Sequence, residues 1–143
     1  GLYAVSWPAR FEIVHSEPWF VVDGGHNPQC AQALRASILE YFPDDKRVLL
    51  MGVLRDKDYK GIVQTLAPLF DAFVTVTPDT PRALPAAELA ELFADTGKEV
   101  QVCSSIQEGV RTAMDIADEL EGMVCACGSL YICGDIRACF GLR

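Results

Sequence analysis

The chain has 143 residues, of which 50% are hydrophobic and 22% charged, and its formal net charge is −8 at pH 7. This length suffices for one domain with a sizeable core, and the composition argues against intrinsic disorder. The excess of negative charge argues against nucleic acid or an anionic membrane surface as the main partner. No apolar run reaches the length of a membrane span, so we expect no membrane partner.

The predicted elements begin with two short strands. Residues 11–15 alternate apolar and polar side chains, and residues 19–22 form an apolar run. These patterns predict a half-buried strand followed by a buried one, paired antiparallel because the connection is too short for a crossover. We expect His15 to be exposed, and Trp19 and Phe20 to pack in the core or under a lid.

A sharp strand-to-helix turn follows at Asp23-Gly24-Gly25-His26-Asn27-Pro28. Asn27 can cap the helix, and proline is best tolerated at the first helical position. The turn therefore sets a carboxylate and an imidazole beside a helix N-terminus, whose unpaired N–H groups suit an anion. Neither Asp23 nor His26 is expected in the core. The simpler alternative is that Asp23 only forms the turn and His26 is an exposed loop residue.

Helices and strands alternate through the rest of the chain. Apolar residues at helical spacing predict helices at residues 27–42, 59–70, 85–94, 106–120 and 130–140. Short apolar runs predict strands at residues 47–51, 73–76, 100–103 and 123–127. This alternation predicts an α/β fold, with a Rossmann-like, mostly parallel sheet, helices on both faces and one antiparallel N-terminal edge strand. No boundary divides residues 1–143, which are predicted to form a single domain. The acidic run 115–121 is expected to be a solvated helix face.

Polar turns rich in glycine and proline follow the strands. They lie at residues 23–27, 52–58, 77–85 and 128–129, whereas residues 43–46 and 96–98 resemble ordinary solvated connections. In a parallel sheet the turns that follow strands share the carboxyl edge, where α/β proteins bind ligands. This asymmetry predicts a binding crevice at that edge.

The predicted crevice lacks a complete catalytic apparatus. The sequence contains neither a G-x-x-x-x-G-K-[ST] loop nor a G-x-G-x-x-G after a strand. Ser129 lies in Gly-Ser-Leu-Tyr rather than in G-x-S-x-G, with no His–Asp relay beside it in sequence. The chain also begins with Gly1 rather than Met, and we expect it to be a piece of a longer protein that holds the rest of the site.

The six cysteines show no C-x-x-C pair. Cys125 and Cys127 lie within an apolar, strand-like run. A metal cluster is one interpretation, but the spacing of zinc ligands is absent. We therefore expect reduced, structural thiols in a cytoplasmic protein.

Five short motifs occur together in one order: Trp7-Pro8-Ala9-Arg10, Asp23-Gly24-Gly25-His26-Asn27-Pro28, Asp56-Lys57-Asp58-Tyr59, Thr80-Pro81-Arg82-Ala83-Leu84-Pro85 and Gly128-Ser129-Leu130-Tyr131. Together they resemble the C-terminal domain of the bacterial folylpolyglutamate synthase/dihydrofolate synthase family, within the Mur ligase superfamily. The resemblance covers nearly the whole chain. It departs at Gly25, where the family usually has alanine, a small-for-small exchange. The family's N-terminal ATPase domain, with its P-loop, magnesium ligands and modified lysine, is not in this sequence.

The resemblance implies ATP-dependent amide formation, in which the amine of L-glutamate attacks an acyl phosphate formed on the pterin substrate. It assigns ATP contacts to Arg10 and Asp23. It assigns catalytic roles near the reacting end to His26 and Ser129. The substrate-binding set implied by the resemblance is His26, Asn27, Arg82 and Ser129. Arg82 is equally compatible with a structural role in its proline-rich loop.

Lys57 and Asp58 are weaker candidates, because a lysine–aspartate pair in a surface turn is usually just solvated. The resemblance further implies ATP and Mg²⁺ as cofactors, with the magnesium ligands in the N-terminal domain and none in this chain. The implied partners are L-glutamate, a folate or dihydropteroate, and that N-terminal ATPase domain. A cytoplasmic monomer is expected.

Two other functions stay open. One is a Mur-type amino-acid ligase of cell-wall synthesis, although the Asp-Gly-Gly-His-Asn-Pro motif favours the folate branch. The other is a non-catalytic nucleotide-binding module, which the missing P-loop would also fit. An upstream P-loop domain in the gene would favour a ligase over such a module.

Overall fold

The computed structural model describes residues 11–142, whose centre is a six-stranded β-sheet. The strands are β1 (Glu12–Ser16), β2 (Trp19–Asp23), β3 (Arg47–Met51), β4 (Ala72–Thr75), β5 (Glu99–Val102) and β6 (Met123–Cys127). The helices are α1 (Pro28–Tyr41), α2 (Tyr59–Leu66), α3 (Ala86–Glu91), α4 (Ile106–Leu120) and α5 (Leu130–Cys139). Short 3₁₀ turns follow α2 and α3 at Ala67–Leu69 and Ala94–Thr96.

The strand order in the sheet is β1-β2-β6-β3-β4-β5. The β1–β2 pair is antiparallel, and every other neighbouring pair is parallel. The predicted fold class, a mostly parallel sheet with one antiparallel N-terminal edge strand, is therefore confirmed. β6 lies between β2 and β3, which places the last strand of the chain at the middle of the sheet.

Alternation along the strands divides the core into two layers. In β3, Leu49 and Met51 pack with α1, α2 and α3, whereas Val48 and Leu50 pack with α4 and α5. Successive strand side chains point to opposite faces, so strands buried on both faces are apolar throughout. The predicted placement of helices on both faces is confirmed.

The second and third helices are shorter than predicted. α2 ends at Leu66 and continues as a 3₁₀ turn that contains Pro68. Proline has no N–H and its ring obstructs a preceding helical turn, so the α-helical pattern cannot run on to Phe70. α3 ends at Glu91, and Gly97, with φ of 73°, completes the turn towards β5.

The amino edge of the sheet is more ordered than the predicted solvated connections suggest. Lys98 is half-buried, and its Nζ donates to the carbonyl oxygen of Phe70 at 2.6 Å. The Arg47 guanidinium donates to the carbonyl oxygens of Phe42, Pro43 and Leu69 at 2.8–3.1 Å. These cations stabilise helix ends whose carbonyl groups have no intrahelical partner.

Two residues of the first hairpin, Trp19 and His15, differ from their predicted exposure. Phe20 is fully buried as predicted, but Trp19 is 44% exposed because it begins β2 beside the hairpin turn and its side chain points away from that of Phe20. His15 is not exposed but half-buried, with its Nδ1 3.0 Å from the Pro18 carbonyl oxygen. The acidic residues of the run 115–121 are exposed as predicted. Across residues 11–142, every helix is too short or too polar to cross a membrane.

Candidate functional site

Three turns that are distant in sequence meet at the carboxyl edge of the sheet. β2, β6 and β3 are parallel neighbours, so the turns at residues 24–27, 128–129 and 52–58 leave the sheet side by side. β4 lies next to β3 and adds the irregular loop at residues 76–85. The predicted gathering of the polar turns at one edge is confirmed.

These turns enclose a shallow pocket of about 180 Å³. Its lining residues are His26, Leu54, Lys57, Arg82, Ser129, Leu130 and Tyr131. The pocket therefore brings together three residues that the sequence singled out for substrate or catalysis, from three separate motifs, and adds the lysine that was a weaker candidate. Two cationic side chains in one pocket make it suited to an anion.

Ser129 caps the N-terminus of α5 with its side chain. It is 2% exposed, and its Oγ accepts a hydrogen bond from the N–H of Tyr131 at 3.0 Å. Gly128 precedes it with φ of 115°, and a Cβ there would lie 2.5 Å from the carbonyl oxygen of Gly52. Glycine is therefore required where the turns after β6 and β3 touch.

The turn after β2 presents His26 just before the helix cap. The Asn27 side-chain oxygen accepts from the N–H of Cys30 at 2.8 Å, and Pro28 is the first residue of α1. Both predictions for this helix start are confirmed. Asn27 itself is exposed and does not line the pocket, whereas His26 is half-buried and does.

Asp23 is buried, which corrects the expectation that it lies outside the core. The exposed fraction of Asp23 is 6%. Oδ1 accepts from the N–H of Gly25 at 2.8 Å, and Oδ2 accepts from the N–H of Phe11 at 3.1 Å. Burial of a carboxylate requires such donors, and these two bonds fix the turn and the entry into β1.

Gly25 is more constrained than a small-for-small exchange implies. An added Cβ would lie 2.5 Å from Cys30 Cβ and 3.0 Å from Asp23 Oδ1. Since real Cβ atoms do not approach that closely, alanine at this position requires the turn to move relative to α1. The turn after β2 is therefore closely packed against the first turn of the helix.

The loops after β3 and β4 pair with each other and line the pocket through Leu54 and Arg82. Leu54 and Ala83 form an antiparallel bridge, flanked by hydrogen bonds from the N–H of Arg55 to the Arg82 carbonyl oxygen (2.7 Å) and from Leu84 to Val53 (3.0 Å). We call these paired residues, 53–55 and 82–84, the loop clasp. The clasp sets the pocket position of Arg82.

Two ion pairs connect the loops of the clasp, and only one of them includes a residue that lines the pocket. Arg82 Nη2 lies 2.7 Å from Asp56 Oδ2, and Arg55 Nη2 lies 3.4 Å from Glu88 Oε2. The hydrogen bond from Arg82 holds the pKa of Asp56 below its usual value, and the Asp56 carboxylate raises the pKa of Arg82. Sequence reasoning missed Asp56, because nothing in the motif Asp-Lys-Asp-Tyr shows which carboxylate meets a distant arginine.

Asp58, the other carboxylate of that motif, has a structural role. Its Oδ1 accepts from the N–H of Gly61 at 3.1 Å and caps α2. Lys57, between the two aspartates, lines the pocket. Of the two weaker candidates, Asp58 is therefore a helix cap and Lys57 is a pocket residue.

All six cysteines lie in the described part of the chain, and none is in a disulfide. Burial raises the pKa of Cys125 and Cys127 well above the usual value, and that of Cys133 to about 12. Such thiols stay protonated at neutral pH and behave as small apolar side chains. Within residues 11–142, no three His, Cys, Asp or Glu side chains are grouped so that they could hold a metal ion.

Comparisons with known proteins agree with the fold. Residues 9–130 match the family profile described as "Mur ligase, glutamate ligase domain". The chain is 33% identical over 139 residues to a folylpolyglutamate synthase of Lacticaseibacillus casei, an alignment that covers 96% of this chain and 30% of that protein. The chain therefore spans less than a third of the length of this relative.

Solved structures give the same result. A Mycobacterium tuberculosis folylpolyglutamate synthase complexed with ADP and AMPPCP superposes with a TM-score of 0.90 and 29% identity, over 98% of this chain and 34% of that one. A bifunctional folylpolyglutamate synthase/dihydrofolate synthase with Mn, AMPPNP and L-glutamate bound gives 0.85 and 28%, over 97% and 33%. Arg10, the remaining residue singled out for the site, lies outside the described residues.

Proposed function

Because the chain belongs to the Mur ligase family and matches its glutamate ligase domain, we propose that it is the C-terminal domain of a longer ATP-dependent ligase. The proposed parent adds L-glutamate to the carboxylate of a folate or a dihydropteroate. Its N-terminal ATPase domain would supply the phosphate-binding loop and the other wall of the site. Relatives named folylpolyglutamate synthase, of which this chain covers about a third, support this assignment over a cell-wall ligase.

One observation carries the proposal: a single pocket at the carboxyl edge gathers His26, Lys57, Arg82 and Ser129 from four separate turns. The N-terminus of α5 also lies at this pocket, and helix N-termini favour negative charge. L-glutamate carries two carboxylates, and an acyl phosphate carries further negative charge. The pocket therefore has the donors and cations that this pair of reactants needs.

The proposed reaction has two steps. In the first, an oxygen of the pterin carboxylate attacks the terminal phosphorus of ATP, so that one O–P bond forms, one P–O bond breaks and ADP leaves. In the second, the amine nitrogen of glutamate attacks the acyl carbon, so that one C–N bond forms and phosphate leaves with the electrons of the broken C–O bond. His26 is proposed to take the proton that the amine releases, and Ser129 to donate its hydroxyl hydrogen to the phosphate or carboxylate oxygens. Arg82 and Asn27 are proposed to orient the glutamate.

Asp23 and Arg10 are proposed to contact ATP. Each oxygen of a carboxylate can accept more than one hydrogen bond, so Asp23 can keep its two backbone donors and accept from ribose hydroxyls as well. The magnesium ligands are proposed to lie in the N-terminal domain, in a monomeric, cytoplasmic parent whose reduced thiols suit that compartment.

The test uses the full-length protein encoded by the gene. Release of ADP should require both L-glutamate and a folate or dihydropteroate, and other amino acids should substitute poorly. ADP release that depends on a cell-wall precursor would favour the other Mur-type ligases. Absence of any amino-acid-dependent ADP release would leave a nucleotide-binding module and contradict the proposal.

A further inference from the structure

The Arg82 guanidinium is held by a carboxylate. Asp56 Oδ2 lies 2.7 Å from Nη2. Tyr131, in the first turn of α5, lines the same pocket as Arg82. Asp56 is not among the residues that line the pocket, whereas Arg82 and Tyr131 are. The carboxylate therefore supports the arginine from outside the cavity.

Without such support, an exposed arginine adopts many rotamers. The side chains of Arg82 and Asp56 are 49% and 55% exposed, so packing alone does not restrain them. A cation that is already oriented loses less conformational entropy when it binds a carboxylate. The short bond to Asp56 provides that orientation.

We propose that Asp56 is a positioning residue, which holds the Arg82 guanidinium in the orientation that binds a carboxylate of the incoming amino acid. This inference rests on the proposed function, because it needs an amino-acid substrate in the pocket. It extends that function by assigning substrate recognition to a pair of residues, of which one never touches the substrate.

The direction in which removal of Asp56 changes the KM for glutamate separates a positioning role from simple electrostatics. Asp56 is an anion beside a pocket for an anion, so its removal would by electrostatics alone strengthen glutamate binding and lower the KM. Loss of a positioning residue would instead weaken binding and raise the KM. The two explanations thus predict opposite changes in one measured quantity.

The experiment compares Asp56→Ala with Glu88→Ala in the full-length enzyme. Both changes remove an exposed carboxylate that pairs with an arginine across the loop clasp, but Glu88 holds Arg55, which does not line the pocket. Asp56→Ala should raise the KM for glutamate about five- to tenfold, the loss expected for one oriented charge-assisted hydrogen bond, with kcat and the KM for ATP within about twofold. Glu88→Ala should leave all three parameters unchanged.

A second variant, Asp56→Asn, is the control for misfolding. Asp56→Asn keeps an oxygen that can accept from Arg82, so its KM for glutamate should lie between those of wild type and Asp56→Ala. Melting temperatures should stay within about 2 °C for all variants, since exposed ion pairs contribute little to stability. An unchanged or lowered KM for glutamate in Asp56→Ala, or an equal rise in Glu88→Ala, would overturn the inference.

A double-mutant cycle tests whether Asp56 acts through Arg82. In an Arg82→Lys background, adding Asp56→Ala should change the KM for glutamate by less than about twofold, because the fork that Asp56 orients is already gone. The same five- to tenfold rise in that background would show that Asp56 acts independently and would overturn the inference. Wild-type enzyme without glutamate-dependent ADP release would instead overturn the proposed function, and this inference with it.

Discussion

At the scale of single residues, Asp23 is an observed turn former and a proposed ATP contact, two roles that the sequence presented as alternatives. It is a turn former, since it accepts hydrogen bonds from the N–H groups of Gly25 and Phe11, and it is also a candidate ATP contact. Its burial ties the two roles together, because a change made to test nucleotide binding also removes partners from buried backbone groups. Stability and kinetics must therefore be measured on the same variants.

Asp23→Ala in the full-length parent should weaken both properties. Loss of ribose hydrogen bonds should lower kcat/KM for ATP roughly ten- to a hundredfold, and loss of the backbone acceptors should cost about 1–3 kcal/mol of folding free energy. Thermal unfolding together with kinetics at varied ATP would measure the two effects. A sharply lower melting temperature with unchanged ATP kinetics would show that Asp23 only forms the turn.

His26→Ala is the matched comparison from the same turn. His26 lines the pocket but is only half-buried, so the melting temperature should stay within a few degrees. We expect a lower kcat or a higher KM for glutamate, with little change in the KM for ATP. A selective loss of ATP affinity in this variant would contradict the division of roles along the crevice.

Gly25→Ala tests the packing of the turn against α1. The new methyl group would lie 2.5 Å from Cys30 Cβ, so we expect a loss of about 1–3 kcal/mol in the free energy of unfolding. Adding Cys30→Ala should not restore stability, because alanine retains the Cβ. Unfolding in urea would measure both variants, and a Gly25→Ala protein as stable as wild type would mean that the turn can shift freely.

At the scale of elements, the carboxyl and amino edges of the sheet have different roles. The carboxyl edge holds the pocket, whereas the amino edge holds helix ends through Arg47 and Lys98. Arg47 connects the end of α1 to the 3₁₀ turn after α2, since it donates to the carbonyl oxygens of both. Its role is structural, whereas the sequence alone placed it only at the start of a predicted strand.

Arg47→Met should therefore destabilise the fold without altering the site. Removal of the donors leaves partly buried carbonyl groups without partners, so the melting temperature should fall by roughly 5–10 °C. Arg55→Met is the control, because Arg55 pairs only loosely with Glu88 and its side chain is 57% exposed. Equal melting temperatures for the two variants would show that the helix-end bonds contribute no more than a surface ion pair.

At the scale of the whole molecule, the buried thiols link stability to pH. Thiol titration of the unfolded protein without reductant should count six free thiols, with no stoichiometric zinc by metal analysis. In the native protein at pH 8, Cys30 and Cys139 should react first, because the other four are buried. A disulfide or bound zinc in fresh protein would contradict a structural role for these cysteines.

The pH dependence of that stability has a definite sign. The pKa of Cys133 is raised from its usual 9.0 to about 12, so the folded state retains a proton that the unfolded state releases between these values. Stability is therefore undiminished below pH 9 and falls as the pH rises, by at most about 1.4 kcal/mol per pH unit for this thiol. Urea unfolding from pH 8 to 11 should show a shallower decline for Cys133→Ala, and an equal decline would exclude this origin.

The isolated chain should fold but not turn over. Residues 11–142 form a six-stranded sheet with core layers on both faces, so we expect one cooperative thermal transition. Glutamate-dependent ATP hydrolysis should be undetectable, because the sequence has no phosphate-binding loop. Calorimetry and an ADP-release assay test these two statements, and appreciable hydrolysis by the pure chain would contradict the second.

The sequence by itself determined the features that depend on neighbours along the chain. The α4 and β6 bounds, the Asn27 cap and the helix start at Pro28 agree with the prediction, because hydrophobic period and capping are local. The alternation of strands and helices likewise predicts a mostly parallel sheet. The five motifs were also sufficient to indicate the family.

Only the tertiary structure decided which of those features meet. The insertion of β6 between β2 and β3 brings Ser129 beside His26, and the loop clasp brings Arg82 to Asp56. The same packing buries Asp23 and leaves no room for a side chain on Gly25. These contacts join residues separated by long stretches of sequence, and local periodicity contains no information about such pairs, because they form only when the sheet assembles.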